Sequence, residues 1–286
     1  VLQLILNQHT NIDVEVRKTY NLTKAQIASR PFCLFISYSG NTEETISVVK
    51  DAIDQNLEWA AISSGGELID LAIKHNKKFV KVPDGLQPRA AFGLMTKAVV
   101  NYLPNQTKEF FINACDEAGN YLNNLTEDTS NEVFEISRDI AHQIGSKTAV
   151  IYAGSDLTYL VAQRWKTQIN ENSKSKAYVG FMPEVHHNEI LSWEADPDGS
   201  KNNFILILLR GDDHKKIDNR FELTKELLGS KVDVLDIKNI SSDNLIKDLF
   251  HLVLIGDLVS VNLADHLNID PFNIDAIENL KKKLKG

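Results

Sequence analysis

The chain switches period repeatedly, and this constrains its fold more than any single residue does. Short β-branched or aromatic runs alternate with stretches of helical spacing: "FCLFIS" before "TEETISVVKDAID", "WAAIS" before "ELIDLAIKH", and "KFVKV" before "PRAAFGLMTKAVVNYL". A run of strands that each need a crossover helix predicts a parallel sheet with helices on both faces. The strand signal then stops. Phe111, Ala114, Ala118, Tyr121, Leu122 and Leu125 recur at helical spacing. After the polar break "TEDTSN", Val133, Ile136, Ile140 and Ile144 repeat the period.

The alternation then restarts. "TAVIYAGS" leads into "DLTYLVAQRWKTQINEN", "KAYVGF" into "PEVHHNEILSW", "NFILILLRG" into a helix near 214–229, and "VDVLDI" into "NLIKDLFHLVLIGDLVSVNLADHL". The sequence therefore predicts two α/β halves, residues 1–126 with a linking helix and 127–286, each doubly wound. At 286 residues and 43% hydrophobic content, the chain can bury a sizeable core in each half.

A net charge of −8 argues against nucleic acid as the main partner, although a locally basic site for a small anion remains compatible with it. No apolar run approaches membrane-spanning length. The start "VLQLILNQHT" has helical spacing, no basic flank and no small-residue cleavage site, so no signal peptide is expected there. Cys33 and Cys115 form no CxxC pair and are expected as reduced thiols, consistent with a cytoplasmic protein.

Ligands of open parallel sheets sit at the carboxyl ends of strands, and the polar stretch "SYSGNTEET" (37–45) occupies such an end. Gly40 permits positive φ, Thr42 suits the cap of the next helix, and Glu43 and Glu44 complement its dipole. With the hydroxyls of Ser37, Ser39 and Thr42, the helix-start amides form a cradle for an anion such as phosphate. A simple capped turn accounts for the same residues, and local chemistry leaves both readings open. The stretch is neither a P-loop nor a dinucleotide fingerprint. "AGSD" (153–156) repeats the arrangement, with Ser155 or Asp156 as cap.

Arg89 follows Pro88 at a predicted helix start, where a cation opposes the dipole, so it is placed to meet negative charge. Glu171 closes a helix whose predicted apolar face is Leu157, Leu160, Val161, Trp165 and Ile169. An acid there also opposes the dipole, an environment expected to raise its pKa toward that of a general base. His186 and His187 are adjacent and would point about 100° apart on a helix, which disfavours a shared metal. One of them suits acid–base work. "RGDD" (210–213) and "DPDG" (196–199) are expected as turns, and "KKKLKG" as a solvated helix end.

Taken in order, "SYSGNTEET", "PRAA", "NEN" and "PEVHHN" resemble the bifunctional phosphoglucose/phosphomannose isomerases of the sugar isomerase (SIS) superfamily, over nearly the whole chain. The resemblance implies two SIS domains, each a mainly parallel sheet in an α-β-α sandwich, and a homodimer with active sites shared between subunits. It implies no cofactor, no metal, no nucleic acid and no membrane.

By the same resemblance Ser37, Ser39 and Thr42 hold the phosphate of a sugar 6-phosphate. A site with room around O2 accepts both aldoses, and Thr42 or Ser39 near that end is expected to permit it. Glu171 is the base moving a proton between C1 and C2. His187, from the partner subunit, opens the ring. Arg89 stabilises enediolate charge. A C-terminal lysine contributes, and Lys281 matches it best among Lys281, Lys282 and Lys283. The family also carries a first strand and Gly-rich loop ahead of the segment that "VLQLILNQHT" resembles, so this sequence is expected to begin inside the family's first domain. A sugar-phosphate sensor without catalysis is the rival reading, but a sensor needs neither "NEN" nor "HHN".

Overall fold

The computed structural model describes residues 3–4, 6, 11–195 and 197–284. Most of the expected opening helix across residues 1–10, together with Asp196, Lys285 and Gly286, lies outside the described residues. The chain divides into two compact units, Val1–Asn113 and Ala114–Gly286. The division falls inside one long helix, α5 (Asn105–Thr126).

From residue 24 onward unit 1 runs as a short helix, α1 (Lys24–Ser29), β1 (Phe32–Ile36), α2 (Glu43–Asp54), β2 (Glu58–Ser63), α3 (Gly66–Lys74), β3 (Lys78–Lys81) and α4 (Phe92–Val99). Its sheet is parallel, in the order β1-β2-β3. Successive strand residues point to opposite faces. Phe35, Trp59 and Ala61 therefore meet Ile46, Val49, Leu68 and Ala72 of α2 and α3. Leu34, Ile62 and Val80 meet Ala98 and Val99 of α4 on the other face. The three described strands run across the sheet in chain order, so the reversal expected of a doubly wound sheet is not among them. The predicted helix "PRAAFGLMTKAVVNYL" is broken into a 3-10 turn (Pro88–Ala91), α4 and a second 3-10 turn (Val100–Tyr102).

Unit 2 contains α6 (Glu132–Ile144), β4 (Thr148–Ala153), α7 (Asp156–Asn172), β5 (Ala177–Phe181), α8 (Pro197–Asn203), β6 (Phe204–Arg210), α9 (Lys215–Leu228), β7 (Asp233–Lys238), α10 (Leu245–His266) and α11 (Asp275–Leu284). The parallel sheet has the order β5-β4-β6-β7, so the winding reverses at β4. Tyr152, Leu206 and Leu208 pack on Phe221 and Leu228 of α9. The alternate residues Ile151, Ile205 and Ile207, all fully buried, face the side of α7.

Two 3-10 turns, Glu184–His186 and Glu189–Trp193, replace a regular helix over "PEVHHNEILSW", because Pro183 precedes the first and Asn188 caps the second. "DPDG", expected as a turn, instead leads into the short helix α8. Leu160 and Ile136 lie outside their predicted apolar faces, at 36% and 38% exposure. The face of α7 is completed by Ala162 and Gln168, and that of α6 by Ser137 and Ala141.

The contact between α7 and α10 fixes the end of α7. Trp165 Nε1 donates to the Leu252 carbonyl at 2.8 Å, and a Cβ on Gly256 would stand 2.1 Å from that nitrogen, so no larger residue fits. Arg164 pairs with Asp257 at 2.6 Å, Gln168 donates to Asp257 at 2.9 Å and Asn172 donates to Ser260 at 2.8 Å. Burial of Leu157, Val161, Trp165 and Ile169 contributes roughly 8 kcal/mol to this packing. Among the described residues no helix is long and apolar enough to cross a membrane.

Candidate active site

Strand β1 delivers Ser37 to the carboxyl edge of the first sheet, where its N–H still donates to the Ile62 carbonyl. The chain then turns sharply. Gly40 adopts φ +69°, and its N–H donates to Ser37 Oγ at 3.2 Å. Ser37 and Thr42 share a hydroxyl hydrogen bond of 2.7 Å, which draws the two ends of the loop together. Thr42 occupies the cap position of α2, but its hydroxyl caps no amide. The expectation of a side-chain cap is therefore corrected: the hydroxyl is spent on Ser37. The amides of Glu43, Glu44 and Thr45 make no hydrogen bond among the described residues. Ser39 is exposed beside them. Unused helix-start donors, the positive end of the dipole and an exposed hydroxyl are the elements from which a seat for an anion is built.

A second loop, "SSGGE" (63–67), holds the first; the sequence reading missed it. Ser64 N–H and Oγ both donate to the Tyr38 carbonyl, at 2.9 and 2.7 Å. Leu68 N–H donates to the Gly40 carbonyl, and Glu67 N–H to Asn41 Oδ1, both at 3.0 Å. The loops meet backbone to backbone. A Cβ on Gly40 would stand 1.8 Å from Gly65 O, and one on Gly66 (φ +71°) would stand 2.5 Å from Ser39 O. Paired glycines after a strand-like run were the available signal. Arg89 is half-buried in the 3-10 turn ahead of α4, where Nη1 donates to Gln87 Oε1 at 3.3 Å.

In unit 2, Glu171 lies in the last turn of α7, half-buried. Its neighbours in "NEN" fasten it. Asn170 Nδ2 donates to Ser175 O at 2.8 Å, while Asn172 is held by Ser260. Lys174, at φ +55°, donates through Nζ to the carbonyls of Glu171 at 2.8 Å and Asp270 at 2.9 Å.

The histidine pair divides. Arg220 Nη1 lies 3.0 Å from His186 Nδ1, and His186 Nε2 lies 2.8 Å from Thr224 Oγ1. Arginine has only donors, so Nδ1 accepts and the imidazole proton sits on Nε2. Burial, then the Arg220 guanidinium and His187, hold the His186 pKa below the ordinary histidine value. His186 is thus a neutral, structural imidazole. His187 follows it exposed, and its ring makes no hydrogen bond among the described residues.

Glu171 precedes β5 and His187 follows it, so they lie at opposite ends of that strand. Its five residues separate them along the sheet by about 16 Å. Lys281 lies on the exposed last turns of α11 with Lys282 and Lys283. Among the described residues no three His, Cys, Asp or Glu side chains are grouped to hold a metal ion.

The two α/β units define a class of parallel-sheet protein that presents its loops at the carboxyl ends of its strands. Residues 135–284 match the model of the bacterial phospho-glucose isomerase C-terminal SIS domain. The fold is similar to a glucose-6-phosphate isomerase like protein from Thermus thermophilus, with TM-score 0.56 and 14% identity over 98% of this chain and 94% of that one. A bifunctional phosphoglucose/phosphomannose isomerase from Aquifex aeolicus is 34% identical over 97% of this chain and 84% of its own length. A D-glucosamine-6-phosphate 4-epimerase from Sulfolobus acidocaldarius is 31% identical over 93% of this chain and 80% of its own. The chain belongs to the bifunctional phosphoglucose/phosphomannose isomerase family.

Proposed function

We propose that this protein interconverts glucose 6-phosphate and mannose 6-phosphate with fructose 6-phosphate, using two SIS domains and active sites shared across a homodimer. The family relationship and the uncapped seat at Ser37–Thr42 support the reaction. The placement of Glu171 and His187 at opposite ends of β5 supports the shared site, because the length of the strand lies between them within a single unit 2.

In this reading the 6-phosphate sits on the amides at the start of α2 with Ser39, beside the linked hydroxyls of Ser37 and Thr42. His187 of one subunit moves a proton between the ring oxygen and the C1 hydroxyl, which opens the ring. Glu171 of the other takes the C2 proton of the aldose and returns it at C1. Negative charge gathers on the enediolate oxygens, where Arg89 and the Lys281 ammonium oppose it. The planar enediolate has lost its C2 configuration, so reprotonation on either face yields glucose or mannose 6-phosphate. Proton transfer of this kind needs no cofactor, and the reading places the enzyme in the cytoplasm with the sugar phosphates it acts on.

The test is a coupled assay of fructose 6-phosphate in the presence of a chelator, with the two aldose phosphates followed separately. Formation of both is expected, and formation of neither sinks the proposal. Glucosamine 6-phosphate serves as the second substrate, because a 31% relative bears the name of its 4-epimerase. The shared site is tested by mixing subunits. Glu171→Gln and His187→Ala are each expected to lose at least about a hundredfold. Random re-pairing then restores about a quarter of normal activity, since half the dimers are hybrids with one intact site of two. No recovery would place both groups in one subunit's site.

A further inference from the structure

Tyr38 lies inside the seat loop between the two serines, yet its phenol reaches away from the seat. Its hydroxyl lies 3.1 Å from the Pro83 carbonyl, to which it donates, and accepts the Leu86 N–H at 3.0 Å. Those two groups are the first carbonyl and fourth amide of "PDGL", the pair that would close an ordinary β-turn on itself. Here no bond joins them directly among the described residues, and the phenolic oxygen stands between them. Gly85 supplies the positive φ of the turn, +86°. The tyrosine ring packs with Ile62, Val82 and Val99, and its carbonyl takes hydrogen bonds from Ser63 and Ser64. One residue therefore fastens the loops that follow β1, β2 and β3. Arg89 begins three residues beyond the clamped amide.

We propose that Tyr38 is a positioning residue that holds the Arg89 segment in register with the phosphate seat. This rests on the isomerase reading for its kinetic consequence and on geometry alone for the clamp. Phosphate binding depends on the seat, which keeps its own bonds when the phenolic hydroxyl is removed. Arg89 is needed only as charge develops on the substrate. The hydroxyl therefore contributes to turnover more than to binding.

Tyr38→Phe keeps the ring and deletes only the clamp. It is expected to lower kcat for fructose 6-phosphate about tenfold while KM stays within about twofold. In an Arg89→Ala background the same change is expected to have no further effect, because nothing remains to position. A kcat loss of equal size in both backgrounds, or no loss in either, overturns the proposal. Hydrogen exchange at the Leu86 amide supplies a readout independent of activity: slow in the unmodified protein and faster in Tyr38→Phe. If the unmodified protein isomerises neither aldose, the functional reading fails, and a Leu86 amide that exchanges freely removes the clamp as well.

Discussion

The chain makes the same strand-to-helix turn twice and finishes it differently. After β1, the cap residue Thr42 turns its hydroxyl to Ser37, and the first-turn amides of α2 remain open. After β4, Ser155 and Thr158 form a complete capping box. Ser155 Oγ accepts from Thr158 N–H at 3.3 Å, while Thr158 Oγ1 accepts from Ser155 and Gly154 N–H at 2.9 and 3.2 Å. A carboxylate also lies over this turn. A Cβ on Gly154 would stand 2.8 Å from both oxygens of Asp213, which itself accepts from Gly211 N–H at 3.0 Å. The reversal of strand order at β4 marks this edge as the usual ligand crevice of such a sheet. The Gly154, Ser155 and Thr158 amides are engaged within this turn, whereas those of Asp156 and Leu157 make no hydrogen bond among the described residues. Topology offers the position at both turns, and here the Asp213 carboxyl stands over it where an anion would sit.

Paired substitutions sharpen or break that contrast. Gly40→Ala forces a side chain into positive φ and against Gly65 O. Fructose 6-phosphate KM is expected to rise tenfold or more, and the unfolding midpoint to fall by roughly 5–10 °C. Gly154→Ala meets only side-chain atoms of Phe221 and Asp213, so thermal melts should record a loss while KM holds. An equal rise in KM for both would mean the second turn also binds substrate.

Ser39→Ala comes next, with KM up about tenfold from one lost charge-assisted bond and stability unchanged. Its counterpart Ser155→Ala should do the reverse, losing about 1 kcal/mol in denaturant titration with normal KM.

The smallest effect concerns Asp213, whose pKa is pushed up by burial against the opposing Gly211 N–H. A raised carboxyl holds its proton longer in the folded chain, so this group's contribution is complete below the unfolded pKa of about 4 and declines as pH rises through the folded value. The melting point of Asp213→Asn relative to the unmodified protein should therefore climb over that interval. A flat difference would show that the carboxylate is solvated.

All seven described strands fall where β-branched and aromatic runs place them, because a buried parallel strand has few sequences open to it. The loop after β1 and the Glu171 helix end were legible for a similar reason: each combines a residue type with a position at the end of an element. The interlock of Gly40 with Gly65 and Gly66 was not, since a close approach between loops leaves only glycine as its trace.

Arg210 shows the same limit. "RGDD" reads as a turn, but Arg210 closes β6 and only the residues after it bend. The arginine is nonetheless buried, at 5% exposure, over the Phe221 ring and between Asp218, Glu222 and Asp236. Those partners come from α9 and β7, and linear spacing carries no sign of them. His186 and His187 were separable only as two directions on a helix. Which one the fold would consume depended on Thr224 and Arg220, 38 and 34 positions away from His186.

The separation of Glu171 from His187 along β5 has a consequence for the cell. If each reaction centre needs one end from each of two chains, output follows the number of pairs and not the number of chains. Specific activity would then fall on dilution below the pairing constant, and scarce protein would be silent before it was absent. An enzyme with both groups in one crevice would scale linearly down to the last molecule.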